Sequence, residues 1–252
     1  MNTDKSKLDL SVFLLDEMKI MKKHLIIFSF CLIPILLYGQ IEGIKSDRTI
    51  WYNDGEIMLP LTMMALGVMT YVHPVKKHIQ LSTLPYRNSF VGFEDYLQFG
   101  PSLIQATVSI LNLKGRNNVK NQLKYLLISE VSTLSMVYLL KISINETRPN
   151  GGRWSFPSGH TAQGFASATI LYQQYKNSHP ILAYSGYSMA LATGLLRVAH
   201  NKHWVNDVLF GAGLGILVPN LVHRIKKIGI RKQGKLHTLF TTNKISLIYT
   251  FS

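Results

Sequence analysis

Three short polar islands between residues 141 and 207 hold the side chains that phosphate chemistry needs. Lys141-Ile-Ser-Ile-Asn-Glu-Thr-Arg148-Pro149 supplies two cations, and Pro157-Ser158-Gly159-His160 supplies an imidazole. Arg197-Val-Ala-His-Asn-Lys-His203-Trp-Val-Asn-Asp207 adds a third cation, a second imidazole and a carboxylate. Ammonium and guanidinium groups neutralise phosphate oxygens, and an imidazole exchanges protons near neutrality. Together the residues suit holding and cleaving a phosphate.

Apolar runs separate the islands and must bring them together. The pattern predicts helices over 123–140, 158–175, 181–196 and 207–222, with short connections that make successive helices antiparallel neighbours. Lys141 then lies at the end of one helix, Ser158 at the start of the next, Arg197 at an end and Asp207 at a start. The expected architecture is all-α, an antiparallel bundle of about five to six helices. All three islands meet at one end of it.

The chain has 252 residues, 47% of them hydrophobic, enough for one core with appendages. A single helical domain is expected over 41–235. Lys and Arg outnumber acids 27 to 13, giving a net charge of +14. Such a balance fits nucleic acid, an anionic membrane surface or a phosphorylated substrate. No nucleic-acid-binding module or aromatic-rich basic groove is present, and the N-terminus reads as an export signal, so no nucleic-acid partner is expected. Cys31 is the only cysteine, which leaves no disulfide and no thiolate metal site. No cofactor and no metal are expected. Oligomeric state cannot be read from these features.

Residues 1–20 form an extension, and Met21-Lys22-Lys23 resembles a second start. The apolar run 25–37 makes 21–40 a signal peptide or an uncleaved anchor helix, with Tyr38-Gly39-Gln40 near a cleavage point. The Met-rich run 57–72 predicts a helix or interfacial segment broken at Pro60. Residues 92–100, with Glu94, Asp95 and Tyr96, read as a polar lead-in to a helix that Pro101 opens. Basic clusters lie at 114–120 and 223–232, and the Thr-rich, β-branched tail 236–252 predicts a strand or hairpin.

The apolar runs are about 14 to 18 residues long, at or below the length that spans a bilayer. Mean hydropathy is modest at +0.13. Both basic clusters would lie at the end opposite the islands, which matches a membrane-associated bundle with its site facing the periplasm of a bacterial-type envelope. Helix parity then requires that one of 57–72 and 101–113 fails to span. A soluble periplasmic bundle is the alternative.

The islands resemble the type 2 phosphatidic acid phosphatase superfamily, whose signatures are Lys-x6-Arg-Pro, Pro-Ser-Gly-His and Ser-Arg-x5-His-x3-Asp. Lys141, Arg148 and Pro149 match the first, and residues 157–160 match the second. Arg197, His203 and Asp207 match the third, with Leu196 where the family has serine. The resemblance covers roughly residues 95–222, and the joint order and spacing make it specific. It implies a metal-independent phosphatase in which His203 attacks phosphorus and Asp207 orients its ring. His160 then protonates the leaving group, and Lys141, Arg148, Ser158, Gly159 and Arg197 hold the phosphate. The residues read the same way unaided. A carboxylate four positions on shares a helical face with the imidazole, and a helix opening at Ser158-Gly159 aims free N–H groups at an anion. The apolar build and export signal point to a lipid or isoprenoid phosphate or pyrophosphate as substrate.

Each island alone has a plainer meaning: a charged helix end, a Pro-Ser helix start, a surface His-Asp pair. His200 matches no signature position and is set aside, as are Glu146 and Arg153, and Trp204 reads as core. The resemblance also admits a vanadate-dependent haloperoxidase. A membrane protein that binds lipid headgroups without turnover is the alternative from another class.

Overall fold

The computed structural model describes residues 55–72, 75–231, 235–241 and 244–250, with side chains as far as residue 224. The extension 1–20, the signal or anchor segment 21–40 and Cys31 lie outside the described residues. In order, the helices are α1 Gly55–Val72, α2 Val75–Thr83 with a 3-10 turn at Leu84–Tyr86, α3 Phe93–Leu97, α4 Gly100–Ile110, α5 Val119–Ile144, α6 Gly159–Tyr175, α7 Pro180–Ala199 and α8 Val205–Arg231. The fold is an all-α bundle. At its C-terminal end, β1 Lys235–Thr241 and β2 Lys244–Thr250 pair antiparallel with Lys235 opposite Thr250, so the tail is a hairpin.

Three of the four long helices, α5, α7 and α8, run further than their apolar windows, while α6 matches its window to within one residue. Asn118 caps α5 by accepting the Asn121 N–H at 3.0 Å, and Asn145 closes it in the left-handed conformation at φ 46°. Lys141 therefore sits inside the last turn, and Arg197 likewise lies in the last turn of α7. Cations in these places complement the carbonyl end of each helix, so the polar residues extend the helices instead of ending them.

α6 and α8 form the centre, with α8 packed against α1, α5, α6 and α7. Val137, Leu140 and Ile144 of α5 meet Phe210, Leu214, Leu217 and Val218 of α8, with Ile57 and Met64 of α1 and Phe156 completing the core. Glycines let these helices approach closely. A Cβ at Gly211 would fall 2.6 Å from the Ser158 carbonyl oxygen, and one at Gly215 2.3 Å from that of Ala162. The turn that opens α6 is thus seated directly on the backbone of α8.

Pro60 does not break α1, contrary to the sequence expectation. Proline has no N–H to offer the Glu56 carbonyl one turn back. Asn220 of α8 donates its Nδ2 to that carbonyl at 2.8 Å, and Gln173 of α6 donates its amide to Asn220 Oδ1. Neighbouring helices supply the missing bond, and the helix continues.

α5, at 26 residues, and the Val205–Arg224 stretch of α8 are each long and apolar enough to cross a membrane. The segments Gly55–Tyr71 and Val75–Tyr86 would make a third span if their 94° bend lies within one crossing. These lengths exceed the sequence estimate because the helices continue beyond their apolar windows. Leu127, Val131, Leu139 and Ile142 of α5 point outward and are exposed, as lipid-facing side chains are. The protein is therefore built for membrane association. The basic turn before α5 lies at the end away from the islands, where Arg116 N–H and Asn117 both bond Gln174 near the C-terminus of α6.

Candidate active site

Asp207 organises the site. Its buried carboxylate accepts the Ser155 hydroxyl, the Trp204 N–H at 3.0 Å and the Asn206 amide at 2.9 Å. It also lies 3.2 Å from His203 Nδ1. His203 is not on the helix, as its spacing from Asp207 had suggested. It precedes α8 in a turn whose backbone is tied to α7, the His203 N–H bonding the Arg197 carbonyl at 3.1 Å. Asp207, near the start of α8, reaches back to that turn as a capping residue does. An ionised carboxylate can only accept, so Nδ1 carries the proton and the lone pair is left on Nε2.

The other two islands converge on the same point. Ser158 N–H donates to the Asp207 carbonyl at 3.0 Å, which locks the start of α6 to α8. The first bond of α6 runs from Ala162 N–H to Ser158 O, so the N–H groups of Gly159, His160 and Thr161 have no partner within the helix. The Ser158 hydroxyl lies 2.9 Å from that of Thr161. Lys141 is nearly buried, and its ammonium donates to the Trp154 and Ser155 carbonyls at 2.6 and 3.3 Å. Its Cε would be 3.9 Å from a Cβ at Gly159, so its stem passes the first turn of α6. Arg148 is anchored through Nε to the Arg153 carbonyl at 3.1 Å. Trp204 is half-buried and not core, its indole N–H donating to the Thr147 carbonyl at 2.8 Å. Among the described residues no three His, Cys, Asp or Glu side chains gather as metal ligands.

Electrostatics report the same convergence. Burial holds the His203 imidazole well below its usual range, and Lys141, Arg197, Arg148 and His160 each push it further, in that order. His203 is therefore neutral and keeps its lone pair. His160 is pushed down to about 4 by burial first and by Arg197 next, against the opposing pull of Asp95. An anion placed among these cations offsets their push on His160, so anion binding is expected to be linked to proton uptake. Sulfate is dianionic across the working range and isolates the protein's own protons. Above the His160 value of about 4 and up to the higher value of the complex, sulfate should bind with uptake of about one proton, and more weakly as pH rises. Calorimetry in buffers of different ionisation enthalpy counts that proton, and His160→Gln should abolish it.

With the geometry in place, the likeness to known proteins is specific. Residues 122–229 match the PAP2 superfamily. Over that stretch the chain is similar to the members of this superfamily. The chain is 35% identical over 139 residues to a lipid A 1-phosphatase of Porphyromonas gingivalis, an alignment covering 53% of this chain and 31% of that protein. The chain thus spans about a third of the length of this curated relative. Among solved structures, a transmembrane PAP2-type phosphatidylglycerolphosphate phosphatase of Bacillus subtilis superposes with a TM-score of 0.51 at 19% identity, over 71% of this chain and 97% of that one. Aquifex aeolicus LpxE gives 0.45 at 22% identity, over 56% and 92%. The Bacillus structure shares the fold.

Around the PAP2 motifs the structure adds residues that motif spacing does not reach. Ser155 supports Asp207, and Glu94 and Asp95 of α3 face Arg197 at 3.7 and 3.1 Å. His200 is buried, not a surface residue. Its Nδ1 lies 2.9 Å from Glu94 and its Nε2 2.6 Å from the Ser89 carbonyl, so it clips the 89–94 segment to α7. Glu146 accepts Tyr71 at 2.7 Å and Lys76 at 3.4 Å on the rim. The adjacent acids at 94 and 95, set among aromatic residues, were the available signal for the α3 contribution.

Proposed function

We propose that this protein is a metal-independent phosphatase that hydrolyses a lipid or isoprenoid phosphate or diphosphate through a phosphohistidine. One observation carries the reading: a buried, neutral imidazole, held by Asp207, feels the cations of the first and third islands, Lys141, Arg148 and Arg197. In the first step the His203 Nε2 lone pair attacks phosphorus, the bond to the leaving oxygen breaks, and His160 gives its proton to that oxygen. In the second, neutral His160 takes a proton from water as the oxygen attacks phosphorus. The P–N bond breaks, and inorganic phosphate leaves with His203 restored. Lys141, Arg148 and Arg197, with the N–H groups opening α6, stabilise the charge on the transferring group.

Lipid as substrate is supported by the outward apolar face of α5, the membrane-length helices and the lipid A 1-phosphatase relative. Basic residues gather at the end away from the site, which favours an outward, periplasm-facing site. The test is phosphate release by purified full-length protein across phosphatidate, phosphatidylglycerophosphate, undecaprenyl diphosphate, lipid A and one soluble ester. Turnover of at least one lipid with inhibition by vanadate, which mimics five-coordinate phosphorus, is expected. Release confined to the soluble ester would overturn the lipid assignment.

A further inference from the structure

Asp95 reaches the site from a helix of five residues that no motif includes. Its carboxylate is half exposed, yet one oxygen, Oδ1, lies 2.9 Å from His160 Nε2 and 3.1 Å from Arg197 Nη1. These two nitrogens belong to the proposed proton donor and to a proposed phosphate ligand. A single carboxylate oxygen therefore makes the contacts that an oxygen of a bound phosphate would need. Glu94, the neighbouring acid, is placed differently. It is buried, faces His200 Nδ1 at 2.9 Å and stands 3.7 Å from the same Arg197 nitrogen.

This difference divides the work between the two acids. Glu94 is held from behind by the His200 clip and leaves Arg197 a counter-charge whatever Asp95 does. Asp95 already meets water, so turning it away from the pocket exchanges ion pairs for hydration at a partly exposed position. Gly92, at φ 83°, precedes α3 and gives that end of the segment a conformation that side chains other than glycine rarely adopt.

We propose that Asp95 is an internal competitor for the phosphate seat, displaced from His160 and Arg197 by the incoming phosphate and returning to them as inorganic phosphate departs. The proposal rests on the phosphatase reading above. Displacement frees His160 Nε2 to serve the leaving oxygen, and the returning carboxylate helps to expel a product that the cations would otherwise retain. A residue that merely braced Arg197 and His160 would act oppositely, because its loss would loosen the seat and weaken anion binding. The two roles differ in sign.

The test uses full-length protein in detergent, with sulfate binding read by calorimetry and inorganic phosphate read as an inhibitor of lipid phosphate turnover. Asp95→Asn keeps the volume and removes the charge. It should tighten both anions by at least about tenfold, lower KM, and lower kcat as product release slows. Asp95→Ala, which leaves no side chain to take over either contact, should tighten sulfate in the same direction, and an unchanged thermal midpoint confirms folding. Unchanged or weaker anion binding in both variants overturns the proposal. The two readings fail separately. A parent protein that releases no phosphate while Asp95→Asn still tightens sulfate defeats the phosphatase reading alone. An active parent whose anion affinities ignore Asp95 defeats this one alone.

Discussion

His203→Ala should retain less than about one part in 10⁴ of the parent turnover on any phosphorylated lipid, with the protein still folded. The imidazole is the group from which the proposed covalent intermediate forms, and water in its place has neither its nucleophilicity nor its fixed position. Among the described residues its ring bonds only to Asp207, so truncation leaves one acceptor that still has three other donors. Initial rates in mixed micelles measure the loss. A second readout is chemical: a phosphoenzyme stable in alkali and labile in acid should be trapped from the parent protein and absent from the variant. Normal phosphate release by His203→Ala would sink the mechanism.

Asp207→Ala should cost both rate and stability. Without the carboxylate, the His203 ring loses the acceptor that assigns its proton to Nδ1, and a fall of about 10³ to 10⁴ in kcat is expected from comparable His-carboxylate pairs. Ser155, the Trp204 N–H and the Asn206 amide would also lose their acceptor in a buried place. At roughly 1–3 kcal/mol for each stranded donor, the variant should lose several kcal/mol, seen as a clear drop in thermal midpoint. Asp207→Asn separates the two effects. It restores an oxygen and most of the packing, so the midpoint should recover in part while kcat stays low. Recovery of both would mean that the carboxylate charge is not what orients the ring.

The sequence made the bundle legible because its long helices carry unbroken apolar windows and its islands stand at their ends. It stopped α5 and α7 about a turn short, since Lys141 and Arg197 are polar residues that helices accept in their last turn. Pro60 was misread for a tertiary reason. The compensating donor, Asn220, lies on a helix 160 residues further along the chain, beyond any local pattern. Glu94 and Asp95 read only as a polar lead-in because α3 is too short to show periodicity, and Ser155 escaped notice because it acts through a loop with no motif spacing of its own. His200 shows the reverse error. Its position between two signature residues said nothing about burial, and only the packing of the 89–94 segment revealed it as a clip.

The glycines of α8 also determine where this pocket can be remodelled. Gly211 and Gly215 press the backbone of α8 against that of α6, so the wall carrying the Ser158 turn cannot retreat or thicken without shifting the N–H groups proposed to hold the phosphate. Any widening for a bulkier headgroup is expected to come from the α3 side, where Asp95 reaches His160 and Arg197 and α3 is tied to α7 through ion pairs. Libraries aimed at altered substrate scope belong in residues 84–99. Evolution working on this scaffold meets the same division between a rigid hinge-side and a replaceable brim.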